Sequence, residues 1–303
     1  MQFKHNGLLL ILLALIWGSS FWLIKQGLEA FTPLQLAAIR IISAALTLLP
    51  FALLVKTKAA LPWKVLLAIG TIGNFIPAIL FALAQSVIHS ALAGMINALQ
   101  PLFTLIIAYL AFNTRITALQ LVGVVLGFFG TLLLLSDHSA ELALADHVMF
   151  SSLVILATFC YGLATNLIKQ YCQQLSPVTI ASVSLSLVAI PSVILLSFEL
   201  LRQPLQTQHW MLPLSAIVML GVVGTALALI LFNRLIHNTS ALFASLVTYL
   251  IPIVATLWGI LDDEPITGLQ IVAMLIILVG LAITNWLAPR LTKTTDITDN
   301  ELN

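Results

Sequence analysis

Arg40 is the residue whose type and position point most directly to chemistry. It lies well inside the apolar run from Leu34 to Val55, and the acidic residues all fall outside the long apolar runs of the chain. A guanidinium presents a planar fork of donors that matches a carboxylate or a phosphate. Two placements remain open, because the long side chain can reach the polar surroundings at the end of the run or face a hydrated cavity. We expect the cavity, where it would bind an anionic group.

A later apolar run carries a second set of polar residues at helical spacing. One face of this run holds Gly94, Asn97, Gln100 and Thr104. Pro101 lacks a backbone N–H, so a carbonyl one turn earlier loses its partner. The matching residues in the second half of the chain are Thr248, Tyr249 and Pro252. These side chains either bond helix to helix or line a cavity, and the sequence leaves both readings open.

Polar and aromatic residues deep within three further runs complete the candidate binding residues. They are Trp17 and Ser20 in the first run, Asn74 in the third, and Tyr161 and Thr165 in the sixth. Tryptophan is most common in the belts at membrane interfaces. Because Trp17 lies too deep for such a belt, we interpret its ring as a stacking wall for a ligand.

Residue patterns of the common enzyme classes are missing from the sequence. It has no P-loop, no nucleophile elbow and no pair of carboxylates within an apolar run. Cys160 and Cys172 lack metal-ligand spacing to a second pair. We therefore expect no catalytic residue, no metal and no cofactor. The acidic run 262–264 is interpreted as a solvated loop, with proton coupling as the alternative.

Composition places these residues in a membrane protein. Hydrophobic residues make up 61% of the 303 residues and charged residues only 8%, whereas soluble domains carry roughly 25% charged residues. The net charge of +1 gives no electrostatic argument for nucleic acid. A spanning helix needs roughly 20 mostly apolar residues, and lipid tolerates no open backbone. The runs that qualify are 8–24, 34–55, 64–85, 91–111, 117–135, 147–168, 178–198, 210–233, 240–261 and 267–288.

The basic residues predict the orientation of these spans. The first run ends at Lys25 without a small-residue cleavage site, so we expect a retained span and not a signal peptide. The segments on the side of the N-terminus hold Lys4, Lys56, Lys58, Lys64, Arg115, Lys169, Arg234, Arg290 and Lys293. The opposite side holds only Lys25 and Arg202. Because basic residues concentrate in cytoplasmic loops, both termini are predicted to be cytoplasmic.

The chain also contains an internal repeat. Residues 17–33 read WGSSFWLIKQGLEAFTP, and residues 161–177 read YGLATNLIKQYCQQLSP. The match continues between Gly70-x-x-Gly73-Asn74 and Gly221-x-x-Gly224-Thr225, and between Pro101 and Pro252. The predicted units are 8–135 and 147–288, followed by a short tail at 289–303. Each unit holds five spans, so the two units must cross the membrane in opposite senses, as in many transporters.

These motifs resemble those of a known family. Trp17-Gly18-Ser19-Ser20-Phe21, followed by Lys25, Pro33 and the run 36–41, is similar to the opening of the EamA-type transporters of the drug/metabolite transporter superfamily. The stretch from Ser240 to Glu264-Pro265 resembles the closing signature of that repeat. The first half departs from it with Asn113-Thr114 in place of Glu264-Pro265, and the second half has Ser184 in place of Arg40.

The resemblance implies ten helices, two cytoplasmic termini and export or exchange of small metabolites without ATP hydrolysis. We therefore expect a secondary transporter of a bacterial inner membrane that moves an amino acid or related compound by alternating access. Its partners would be a small-molecule substrate and the lipid bilayer, with protons as one candidate coupling ion and the oligomeric state left open. A lipid-modifying membrane enzyme and a channel are the alternatives. Gly123 and Gly127 are expected to permit close helix packing, and Pro101 and Pro252 to act as structural or hinge positions.

Overall fold

The structure, a computed structural model, describes residues 2–55, 61–112, 117–136, 144–204, 209–239, 244 and 247–283. Within these ranges the ordered elements are helices joined by short turns. The prediction of an all-α fold is therefore confirmed for the described residues. In chain order the helices are α1 (Gln2–Leu28), α2 (Pro33–Leu53), α3 (Trp63–Gln85), α4 (Ser90–Phe112), α5 (Ala118–Leu135), α6 (Leu144–Tyr171), α7 (Pro177–Arg202), α8 (Met211–Asn238), α9 (Val247–Leu261) and α10 (Gly268–Ala282).

The helices α1 to α8 are each long and apolar enough to cross a membrane, which makes the chain a multi-pass membrane protein. Counted over the ranges given above, these spans number 8. The apolar parts of α9 and α10 are shorter, at Leu250–Leu261 and Gly268–Gly280. Both helices adjoin residues outside the described ranges, so a total of ten spans stays a prediction.

Several helices extend beyond the predicted spans. The span predicted at 8–24 belongs to a helix that begins at Gln2 and ends at Leu28, and α8 continues past residue 233 to Asn238. The reason is that an apolar run marks only the hydrocarbon depth, whereas a helix continues into the polar interface. Hydropathy therefore located the helices but placed several of their ends too far inside.

Polar caps begin several of these helices. Threonine at the N-cap and glutamine three residues later form capping boxes at Thr32/Gln35, Thr117/Gln120 and Thr267/Gln270, which start α2, α5 and α10. Ser176 caps α7 by accepting a hydrogen bond from the Thr179 N–H. Each cap satisfies backbone groups that a helix end leaves unpaired, and this defines where the helix begins.

A π-helical turn interrupts α3 at Thr71–Phe75 and α8 at Val222–Leu227. Each turn follows a glycine that permits close packing. A Cβ on Gly70 would collide with the Ser184 carbonyl of α7, and one on Gly221 would lie 2.6 Å from the Arg40 carbonyl of α2. Single π turns commonly mark functional sites. These two lie at corresponding positions of the sequence repeat.

Helices of each half pack against helices of the other half, and corresponding helices make corresponding contacts; we call these exchanged pairs. While α1 packs on α8 and α9, α6 packs on α3 and α4. Likewise α2 packs on α8, and α7 packs on α3. The most extensive packing joins α2 to α7 and α5 to α10, which occupy equivalent places in the two halves. The two halves therefore interlock and share two apolar clusters, each with residues from both halves.

Candidate functional site

A cavity of about 100 Å³ lies among α1, α2, α3, α4, α6, α7, α8 and α9. The sequence placed candidate binding residues on spans 1, 2, 3, 4, 6 and 9, and the wall also contains residues of α7 and α8. Aromatic rings, amides, hydroxyls and one guanidinium form its wall. Ligand pockets commonly measure roughly 300–1,000 Å³, so in this conformation the cavity admits only a small molecule.

Arg40 lies in the wall of the cavity and is 9% exposed. Its Nε donates a hydrogen bond of 2.9 Å to Thr225 Oγ1, and the Tyr161 hydroxyl lies near the guanidinium. Thr225 belongs to the π turn of α8 and donates in turn to the Leu220 carbonyl at 3.1 Å. The guanidinium is therefore held inside the protein, where α2, α6 and α8 meet.

Ion pairs among the described residues involve Lys25 only, so Arg40 has no acidic partner there. Removing an ion from water costs several kcal/mol even after the protein relaxes. The hydroxyls of Thr225 and Tyr161 offset part of this cost but carry no opposite charge. A carboxylate in the cavity would supply that charge through a bidentate pair with the guanidinium.

Aromatic side chains form two sides of the cavity wall. Trp17 donates from Nε1 to the Gly224 carbonyl at 3.0 Å, and its ring meets Phe232 edge-on with centroids 5.0 Å apart. Phe81 stacks on Tyr161 at 5.9 Å. The hydrogen bond and the ring contacts fix these side chains, so the wall is rigid and apolar between its polar groups. Such faces can also attract an ammonium group.

Two amide oxygens in the cavity wall lack partners among the described residues. They are Asn97 Oδ1 on α4 and Asn233 Oδ1 on α8, and both residues are almost fully buried. The Asn233 amide nitrogen donates to the Pro177 carbonyl at 3.4 Å, which orients that side chain. A buried acceptor without a donor costs about 1–3 kcal/mol. In this conformation both oxygens are therefore unsatisfied acceptors within the described cavity wall.

Most of the predicted binding residues converge on this cavity. Its wall contains Trp17, Ser20, Arg40, Asn74, Asn97, Gln100, Tyr161 and Thr165. Thr248 is buried but does not line the cavity, because α9 reaches the wall with Ile251, one turn further along. The prediction for Tyr249 concerns a side chain that lies outside the described part of the structure.

The predicted structural positions behave differently from one another. Pro101 follows a break in α4, whose two parts, Ser90–Asn97 and Gln100–Phe112, are separated by Ala98 and Leu99. Pro252 instead lies within the continuous helix α9, so the expected symmetry of the two prolines is not seen. Proline removes one helix hydrogen bond and its ring clashes with the carbonyl one turn earlier, but among these two helices only α4 is broken.

The small-residue face of α5 packs against two neighbouring helices. A Cβ on Gly127 would collide with Leu102 of α4. A Cβ on Gly280 of α10 would lie 2.6 Å from the Gly123 carbonyl and 2.8 Å from the Gly127 nitrogen. The two backbones therefore approach closely at Gly123 and Gly127, as expected for small residues at membrane helix interfaces.

Three polar residues of the cavity wall were not singled out from the sequence as binding residues. They are Ser184 on α7 and Thr225 and Asn233 on α8. The repeat contained a signal for two of them, since Ser184 matches Arg40 and Thr225 matches Asn74. Asn233 had no comparable signal, because it lies near the end of a span where polar residues are common.

The acidic turn after α9 is only partly solvated, which corrects the sequence interpretation. Glu264 is 7% exposed and accepts hydrogen bonds from Ser90, Ala91 and Lys25. Asp262 forms an ion pair with the same lysine. We call these five residues the Glu264 cluster. Local sequence could not reveal it, because its members come from α1, the start of α4 and the α9–α10 turn.

Comparisons with known proteins agree with this architecture. Residues 6–136 and 149–286 each match the model of the "EamA-like transporter family". A relative in Escherichia coli strain K12 named "Uncharacterized inner membrane transporter YedA" is 25% identical over 280 residues, which cover 90% of this chain and 88% of the relative.

A second relative from the same strain is named "Probable amino-acid metabolite efflux pump". It is 25% identical over 290 residues, covering 92% of this chain and 94% of the relative. One solved crystal structure superimposes with a TM-score of 0.67 at 18% identity, covering 95% of this chain and 99% of that chain. At this identity the likeness concerns the fold alone.

Proposed function

The chain belongs to the EamA-like transporter family, and we propose that it is a secondary transporter that exports or exchanges a small polar metabolite by alternating access. The substrate carries a carboxylate and is an amino acid or a related compound. A relative of similar length is named as an amino-acid metabolite efflux pump, which supports this substrate class.

One observation carries the proposal. Arg40 places a buried guanidinium in the cavity wall with no acidic partner among the described residues. Its Nε is occupied by Thr225, while the terminal nitrogens can pair with the two oxygens of a carboxylate. The substrate itself would then supply the missing negative charge.

The remaining groups of the wall suit the other end of an amino acid. An ammonium group can donate to the free amide oxygens of Asn97 and Asn233 and can lie against the rings of Trp17 and Tyr161. The cavity of about 100 Å³ exceeds the roughly 30 Å³ that one water occupies in the liquid. It therefore fits a small metabolite better than a lipid or a dye.

We further propose ten spans in two inverted units, 8–135 and 147–288, with both termini and the tail at 289–303 in the cytoplasm of a bacterial cell. The family model matches the chain twice, at 6–136 and 149–286. The paired π turns and the exchanged packing of the helices support the same division. Inverted units can rock against each other around a midplane site, which gives alternating access without ATP.

Flux into proteoliposomes tests this function against its rivals. We expect saturable uptake of a radiolabelled amino acid that accelerates when unlabelled substrate is present inside. The decarboxylated amine of the same amino acid should neither move nor compete, because it cannot pair with Arg40. A channel would show no acceleration from the opposite side. A lipid-modifying enzyme would show no flux but would alter the liposome lipids. Equal flux of the amine would contradict the carboxylate-binding role.

A further inference from the structure

The turn between α9 and α10 carries an acidic side chain into the protein. Asp263 has a φ of 56°, in the left-handed region, which reverses the chain directly before Glu264. The Glu264 N–H then donates to the Gly259 carbonyl at 2.9 Å. This tight turn directs the carboxylate back toward the helices, and the Glu264 side chain is only 1% exposed.

The Glu264 carboxylate is bonded through both oxygens. Oε1 accepts from the Ser90 N–H at 3.1 Å, from Ser90 Oγ at 2.8 Å and from Lys25 Nζ at 3.2 Å. Oε2 accepts from the Ala91 N–H at 3.0 Å. The carboxylate thus meets the free N–H groups at the start of α4, where a helix dipole favours negative charge. One side chain of the second half therefore joins α1 and α4 of the first half.

The Glu264 cluster lies beside one end of the cavity. Ile24, which lines the cavity, directly precedes Lys25. At the same end α4 and α9 pack closely, since a Cβ on Gly259 would lie 2.9 Å from Ala91. Trp258 of α9 also donates to Ser19 of α1 at 2.8 Å. At this end, α1, α4 and α9 are joined by direct polar contacts.

In the sequence repeat, the acidic residue is present in the second half only. In the sequence, Ser240 and Ala241 match Ser90 and Ala91, so both halves carry the same Ser-Ala pair at this position of the repeat. The first half, however, has Asn113-Thr114 in place of Glu264-Pro265, and neither of these residues can carry a negative charge. A transporter built from two similar halves would thereby hold one end more firmly than the other.

We propose that Glu264 is the latch of a gate at the Lys25 end of the cavity. Breaking its bonds to Ser90, Ala91 and Lys25 allows α9 to separate from α1 and α4, and this opens the cavity to that side. Under the proposed topology this side faces out of the cell. The role of this gate rests on the proposed transport function, but opening of the gate can be tested without any substrate.

Accessibility of a cysteine inside the cavity measures the state of the gate. The reporter is Ile24→Cys in a protein whose two native cysteines are replaced by alanine. Intact cells receive a membrane-impermeant thiol reagent from outside, and labelling rates are measured per folded molecule after detergent extraction. With the latch present, labelling should be slow. Glu264→Gln, which removes the charge but keeps the shape, should raise the rate at least about tenfold.

Two further variants separate gating from folding. Ser90→Ala removes one hydrogen bond of the latch and should raise the labelling rate by a smaller factor. Asp263→Asn alters an exposed acid of the same turn and should leave the rate unchanged. Equal labelling rates in the reporter protein with and without Glu264→Gln would overturn the latch. The latch would also be overturned if Asp263→Asn accelerated labelling as much as Glu264→Gln does. If Glu264→Gln does not fold, the Ser90→Ala result decides in the same way.

The labelling result and the transport result remain distinguishable. Faster labelling without any amino-acid flux would retain the gate and reject the proposed function. Flux in the parent protein together with unchanged labelling in Glu264→Gln and Ser90→Ala would retain the function and reject the latch.

Discussion

At the scale of single residues, the buried charge of Arg40 organises the cavity. An arginine at the centre of a membrane helix costs about 2.5–3.5 kcal/mol on insertion scales. Here the hydroxyl of Thr225 and the phenol of Tyr161 surround the guanidinium. Ser184, which matches Arg40 in the repeat, also lines the cavity but is neutral. The cavity therefore has one cationic side and one neutral side, which would orient a substrate with unlike ends.

Substitution of Arg40 should reduce transport without reducing the amount of folded protein. Arg40→Leu removes the guanidinium, and we expect flux per folded molecule to fall at least about a hundredfold. This factor corresponds to the loss of two charge-assisted hydrogen bonds to the substrate. Arg40→Lys keeps the charge but loses the bidentate fork, so a smaller loss, of about tenfold, is expected. Transport is measured as flux in proteoliposomes, and folding is measured as the amount of monodisperse protein after extraction.

Arg202→Leu is the matched control for these variants. Arg202 is an exposed arginine at the end of α7, and its side chain lies over the Phe198 ring. Its replacement should leave flux unchanged. Undiminished flux in Arg40→Leu would rule out a substrate role for the guanidinium. A loss of protein with normal flux per molecule would assign Arg40 to folding alone.

At the scale of helices, the close approach of α5 and α10 stabilises the pairing of the two halves. Gly280→Ala places a Cβ 2.6 Å from the Gly123 carbonyl, closer than packed atoms can lie. We expect the free energy of unfolding to fall by about 1–3 kcal/mol, which is typical of overpacked interiors. Gly268→Ala, on the same helix, has open space around its new Cβ and is the control. Thermal denaturation in detergent should show a lower Tm for the first variant only. Equal Tm values for Gly280→Ala and Gly268→Ala would show that the backbones of α5 and α10 can move apart without a loss of stability.

The Glu264 turn should hold the gate closed independently of pH near neutrality. Burial alone would raise the pKa of the Glu264 carboxyl, but hydrogen bonds from Ala91, Ser90 and Lys25 outweigh it and hold the pKa below the ordinary value of 4.5. A carboxyl with a lowered pKa stabilises the closed state above its ordinary pKa, and this stabilisation is lost only as pH falls through the lowered value. The carboxylate therefore stays ionised throughout the physiological range.

We accordingly expect a flat labelling rate for Ile24→Cys between about pH 5.5 and about pH 8, normalised to an exposed reference cysteine. The charged and titratable groups around Glu264 are Lys25 on α1, Asp262 and Asp263 in its own turn, and His89 before α4. His89→Gln, the control for the imidazole, should show the same flat profile. A rate that rises toward pH 5.5 in both proteins would identify Glu264 as a group that binds protons during gating.

At the scale of the whole molecule, the interlocked halves fix the spans relative to one another. The exchanged helix pairs place each half against the other along the cavity, so reversal of one span would disrupt both. The concentration of basic residues on the side of the N-terminus predicts two cytoplasmic termini. A cytoplasm-active reporter fused after Leu291 should be active, whereas one fused near Ser139 should be silent. Opposite signals would overturn the predicted orientation, and equal signals at both sites would overturn the inverted relation of the halves.

Much of the architecture and the cavity followed from the sequence. The scarcity of charge and the length of the apolar runs determined a helical membrane protein, because lipid leaves no other way to satisfy the backbone. The repeat indicated two related halves. Polar residues within apolar spans marked most of the cavity, since they must meet one another or water. This is why Arg40, Asn97 and Tyr161 could be selected before any contact was known.

The tertiary structure alone decided the contacts between distant segments. Glu264 and Ser90 are 174 positions apart, and Arg40 and Thr225 are 185 apart. Hydrophobic periodicity is local and indicates which face of a helix is buried, but not which helix lies against it. For that reason the acidic turn was interpreted as solvated. Pro101 and Pro252 also match in the sequence repeat, whereas the structure breaks α4 just before Pro101 and continues α9 through Pro252.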